Sequence, residues 1–217
     1  MDINKVLLEY DNMYGVNSLE EIDEFLTSKI EQALDEEDFY SALTLMNEML
    51  GFCRDTSQRE KGLRYCAEVE NMFDRMGLHD TLEYATSLIN VANVYRAFGF
   101  YDKAMDAFRT VELIYKAKLP VGEFNYASLY NNWSLLYQEI GDFKSAYNML
   151  KRALSVVDMY ERAVIQQATT RCNLAATLLH MSREASEDNT EDGVISEQYY
   201  DEAIKYLKES LDIFEAD

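Results

Sequence analysis

A period of 42 residues runs through this chain and limits what it can build. ATSLINVANVYRAFGFYDKAMDAF from Ala85 aligns with ASLYNNWSLLYQEIGDFKSAYNML from Ala127, and ATTRCNLAATLLHMS follows from Ala168, at offsets of 42 and 41. The aligned columns hold Asn90, Asn132 and Asn173, Tyr95 and Tyr137, Gly99, Gly141 and Ser182, and Ala104 and Ala146. One period back from Ala85, LTLMNEMLGFCRDTSQREKGLRYC keeps the register, with Gly62 in the Ala104 column. Forward, Tyr200 and Ala203 resume the pattern 15 residues late, which implies an insertion. Repetition at this length is the mark of stacked units that share their cores.

Each unit reads as two helices. Leu88, Val91, Ala92 and Tyr95 recur at spacings of three and four, the period of one helical face. Gly99 then supplies a left-handed stop, and Ala104, Phe108, Val111 and Ile114 line the inner face of the second helix. The spacing predicts about ten helices: 2–13, 18–35, 38–54, 58–76, 81–98, 101–118, 124–140, 143–159, 162–181 and 197–215. Residues 1–37 form capping helices, with Ile22, Phe25, Leu26, Ile30 and Leu34 facing inward. Residues 38–217 form units near 38–77, 81–118, 124–160 and 162–215. SREASEDNTEDGVISEQ (182–198), with its acids and scant apolar content, reads as an acidic loop inserted in the last pair. The expected fold is all-α: a right-handed superhelical solenoid of stacked antiparallel helix pairs.

Tyr130, Trp133, Ser134, Tyr137, Gly141, Phe143, Ala146 and Leu150, like Leu88 to Phe108, resemble the tetratricopeptide repeat family. The 42-residue period is similar to the longer repeats of kinesin light chains and of bacterial receptors for signalling peptides. The resemblance covers roughly residues 38–215. It implies that first-helix residues turned from the seam line a concave groove that holds an extended peptide or a partner protein. For Asn90, Asn132 and Asn173 it implies amides that grip such a peptide. The same face carries Asn47, Arg54, Asn93, Arg96, Asn131 and Gln138.

A primary amide both donates and accepts, so it can pair with a peptide backbone whatever the side chains. Three or four such bonds contribute about 2–6 kcal/mol net, at roughly 0.5–1.5 each, whereas a micromolar complex needs about 8. Side-chain pockets must therefore supply the rest. Asn90, Asn132 and Asn173, in the sixth column counted from Ala85, Ala127 and Ala168, also admit a structural role, hydrogen-bonded to the preceding unit, and Arg54 and Arg96 serve equally as carboxylate clamps or as internal ion pairs.

Forty acids against 20 bases, a formal charge of −20, argue against a nucleic-acid reader or an anionic membrane surface. The start carries no secretory pattern and no stretch is apolar enough to span a bilayer. Three cysteines, with Cys53 and Cys66 in core columns, suit a reducing compartment, so a cytoplasmic location is expected. No nucleophile sits beside a base and no histidine pair or CxxC has ligand spacing, so no catalytic residue, metal or cofactor is expected. The sequence predicts a non-enzymatic interaction scaffold. The alternatives are an intracellular receptor for a signalling peptide and a regulatory or assembly module for an enzyme. It leaves the oligomeric state open.

Overall fold

A computed structural model of the chain describes residues 1–187 and 193–216. Among the described residues it holds ten helices. They are α1 (Ile3–Met13), α2 (Leu19–Asp35), α3 (Phe39–Asp55), α4 (Arg59–Met76), α5 (Leu82–Ala97), α6 (Tyr101–Lys118), α7 (Asn125–Glu139), α8 (Phe143–Val157), α9 (Val164–Glu187) and α10 (Gly193–Ala216). No strand occurs among these residues, and no helix is long and apolar enough to cross a membrane. The fold is an all-α helical repeat. Two compact units divide it, Met1–Ala107 and Phe108–Asp217.

In the first unit, α1 packs on α2, α2 on α3, and α3 and α4 form a pair that α5 covers. The helix start expected at Asn17-Ser18 is a full capping box: the Glu21 N–H donates to Ser18 Oγ (3.2 Å), and the Ser18 N–H donates to Glu21 Oε2 (2.8 Å). Ile22, Leu26 and Ile30 are buried as expected, but Leu34 is 37% exposed and Ala33 takes the inner position. The small residue at column Gly62 has its reason in packing. A Cβ there would lie 3.2 Å from Cys53 Cβ and 3.3 Å from both Val94 Cγ1 and the Phe98 ring, where α3, α4 and α5 converge.

In the second unit, α7 pairs with α8, α8 with α9, and α9 with α10. Its core includes a run of rings: Phe108 stacks on Trp133 (centroids 6.0 Å), and Trp133 on Tyr137 (6.2 Å). Leu119-Pro120 ends α6 as expected. Gly122, at φ +92°, turns the chain there, and its carbonyl accepts from the Tyr160 hydroxyl (3.1 Å).

The repeat's stop is visible in the backbone. Gly99 and Gly141 adopt φ of +80° and +79°, and one period earlier Ser57 takes the same left-handed conformation at +58°. Ser182 occupies this column in the next unit and does not stop the helix. The loop expected over 182–198 is corrected accordingly: residues 182–187 continue α9 and 193–198 belong to α10, while 188–192 lie outside the described residues. Side-chain hydrogen bonds hold the two helices together at this point, with Ser182 Oγ donating to the Ser196 carbonyl (2.8 Å) and Ser196 Oγ to the Ser182 carbonyl (2.9 Å).

Candidate functional site

The first helices of neighbouring repeats lie side by side, α3 with α5 and α7 with α9, and a groove opens between the members of each pair. The groove of the first unit, about 400 Å³, has Leu43, Thr44 and Asn47 on one wall and Thr86 and Ser87 on the other, with Phe73 and Met76 of α4 beneath. The groove of the second unit, about 370 Å³, has Ala127, Ser128 and Asn131 facing Ile165 and Thr169. The two are counterparts, two repeats apart, with asparagine, hydroxyl and small or branched apolar residues in matching places.

An identical hydrogen-bond bracket ties the walls of both. Asn47 Nδ2 donates to its own helix at the Leu43 carbonyl (2.9 Å) and across to Ser87 Oγ (2.9 Å), while its Oδ1 accepts from Asn90 Nδ2 (2.9 Å). Asn131 Nδ2 donates to the Ala127 carbonyl (3.0 Å) and to Thr170 Oγ1 (2.9 Å), while its Oδ1 accepts from Asn173 Nδ2 (3.5 Å). A third tie follows along the second unit, Gln138 Nε2 donating to Thr177 Oγ1 (2.8 Å). Asn47 and Asn131 thus spend both amide hydrogens on the fold. Asn90 and Asn173 each spend one, which leaves the other N–H and the carbonyl oxygen outside the bracket.

The remaining residues expected on this face are dispersed. Asn132, on the second groove's rim, donates to the Ser128 carbonyl (2.9 Å). Arg54 and Arg96 are half-buried near the far ends of α3 and α5, and Arg54 Nε donates to Asp55 (2.8 Å). Asn93 differs from expectation. It is only 4% exposed, because it follows buried Ile89 by one turn and shares its covered stripe. Glu48 stands in the sixth column, where the later units carry asparagine. Burial, and secondarily the charge of Asp11, pushes its carboxyl above the usual range.

The repeat alignment did not register Phe39, Tyr40, Met76 and Leu78, which edge the first groove. Phe39 and Tyr40 lie outside the aligned columns. Their visible signal is two aromatics abutting the acidic run Asp35-Glu36-Glu37-Asp38. Among the described residues no three His, Cys, Asp or Glu side chains cluster as a metal site.

Comparison with known proteins agrees with this architecture. Residues 127–156 match the tetratricopeptide repeat family. BtubC (BKLC) from P. vanneervenii is similar in structure, with a TM-score of 0.76 and 15% identity over 99% of this chain and 80% of that one. Nearly identical TPR-like repeats of a kinesin light chain protein from Podosopora anserina superpose with a TM-score of 0.70, 12% identity and 96% coverage of both chains. A variant of the latter gives 0.71, 13% identity, and 97% and 93% coverage. No curated protein matches the sequence. The chain has the fold of tetratricopeptide-like repeat proteins, with the family's pattern matched over residues 127–156.

Proposed function

We propose that the protein is a non-enzymatic interaction module whose first-helix grooves hold an extended peptide or a segment of a partner protein. The observation that carries this reading is recurrence: the same groove, with the same asparagine and hydroxyl chemistry, opens in both units. Each groove offers backbone-pairing groups above an apolar lining, the combination that grips a main chain and seats a side chain.

The amides divide into two roles in this proposal. Asn47 and Asn131 hold the walls in place and offer the ligand only a second lone pair on Oδ1. Asn90, Asn132 and Asn173 present the donors and acceptors that pair with the ligand's backbone. Arg54, Arg96 and Gln138 extend the contact toward the helix ends, and buried Asn93 has no part in it.

Recovery of partners from native lysate tests this directly. With Asn90→Ala/Asn132→Ala/Asn173→Ala, specific partners are expected to fall about tenfold or more in recovery, as loss of several backbone bonds demands. Unchanged recovery by a triple variant that melts like wild type would assign the amides to the fold alone.

A further inference from the structure

The first groove is one half of a larger apolar surface. Across Phe39 and Met76, which line both, lies a second cleft of about 460 Å³ between the end of α2, α3 and α4, furnished by Leu34, Met46 and Met72. The wall between the clefts stands open to solvent, with Phe39 46% and Tyr40 71% exposed. Aromatic and methionine side chains are the groups enriched where partners bury, and thioethers adapt their shape to what enters. Single exposed hydrophobes need no explanation, but two adjoining clefts sharing an aromatic divider form a continuous patch.

The charge at its mouth is one-sided. The turn from α2 to α3 is Asp35-Glu36-Glu37-Asp38, and Glu37 sits in left-handed backbone at φ +54°, which places the run directly before Phe39. The N-terminal ammonium of Met1 pairs with Glu36 (3.2 Å) and Asp38 (3.1 Å). Asp35 and Glu37 stay exposed. Glu68 and Glu83 line the clefts themselves, against one cation, Arg75.

We infer that this double cleft docks a partner segment that bears two bulky apolar side chains, one for each side of Phe39, next to lysine or arginine. This deepens the peptide-binding reading and rests on it, since the cleft nearer α5 is the first groove. The apolar anchors supply affinity, and the acidic mouth selects the flanking charge and speeds encounter.

Panning the full chain against a displayed library of random 16-residue peptides identifies a probe, and fluorescence polarisation of the labelled peptide measures it. Enriched sequences are expected to pair Phe, Trp, Leu or Met anchors with Lys or Arg. Tyr40→Ser and Phe39→Ser should each weaken the probe about tenfold, the loss typical of an anchor's pocket. Asp35→Asn/Glu37→Gln should weaken it about threefold and flatten its salt dependence. Lys208→Ala/Asp212→Asn, exposed on α10 and away from both grooves, should leave it unchanged. Tyr40 is exposed enough that its variant folds, and thermal melts verify the others. Acidic or anchorless selected peptides, or binding that survives both anchor variants, would overturn this inference and leave the peptide-binding reading intact. A library that yields no binder overturns both.

Discussion

Three cysteines show how far environment governs a side chain here. Cys53 and Cys66 are fully buried, and burial pushes their thiols up to about 11 and about 12. Thiolate, the reactive form, is therefore scarce at neutral pH, and the sulfur is sealed from reagent as well. Cys172 is exposed, its sulfur 3.2 Å from Ser210 Oγ. Iodoacetamide at pH 8 should add once to the native protein, at Cys172, and three times in denaturant, as read by intact mass. Rapid native labelling at Cys66 would show that α4 opens. Glu48 poses the converse question. Its pKa is raised in the folded state, so its ionised form is worse off folded than unfolded. That penalty is complete well above the folded pKa, and it vanishes once both states are protonated below the ordinary carboxylate range. Glu48→Gln should therefore raise the melting temperature at pH 7 by about 2 °C, within the range a sub-kcal/mol change gives a chain of this size, and the gain should fade as pH falls toward 4. A gain that persists at pH 4 would have another origin.

The helices were legible because their ends are written in glycine and caps. Gly99 and Gly141 stop α5 and α7 where the pattern placed the stops, and Asp38, Ser18 and Asp142 cap the helices that follow their turns. The end of α9 was illegible for the same reason. Ser182 stands in the glycine column, and Arg183, Glu184 and Ala185 are good helix formers once α10 lies alongside, although their polarity resembles a loop. The groove was legible as a set of columns, since the period fixes which side a residue faces. Its hydrogen bonds were legible only in part: a bond from the sixth-column asparagines to the preceding unit was expected, and Asn90 and Asn173 make one, but the partners were not. That Asn90 and Asn173 donate to Asn47 and Asn131 depends on how closely adjacent first helices approach, a tertiary distance that no pattern encodes. Ser57 holds the left-handed turn without being glycine, and it carries a steric cost that Gly99 and Gly141 avoid. Ser57→Gly should stabilise the first unit by about 0.5–1 kcal/mol, seen as a higher denaturant midpoint at unchanged slope. The conformation, and not the side chain, sets this sign, so Gly99→Ser should cost a similar amount.

Charge acts on the chain as a whole. With 40 acids and 20 bases, 20 negative charges would remain even if every cation were paired. Specific pairs do tie helices together: Lys61 joins α4 to Asp23 of α2, and Arg171 joins α9 to Asp158 (2.9 Å) and to Glu209 of α10 (3.2 Å). Salt weakens those pairs, but it also weakens the repulsion among the surplus acids, and the two effects have opposite signs. Partly exposed pairs contribute at most about 1 kcal/mol each. The repulsion runs over the whole surface, and at 0.01 M salt, where the screening length is about 30 Å, it is barely damped. Repulsion should win. Raising sodium chloride from 10 to 300 mM at pH 7 is expected to raise the melting temperature by about 2–4 °C, the response to roughly 1 kcal/mol in a chain of this length, with most of the rise complete by 150 mM, where the screening length is near 8 Å. A melting temperature that falls with salt would mean the ion pairs outweigh the surplus. The same screening should weaken capture of a basic segment at the Asp35–Asp38 turn. Salt would then move stability and binding in opposite directions, a divergence that an uncharged docking mode would not produce.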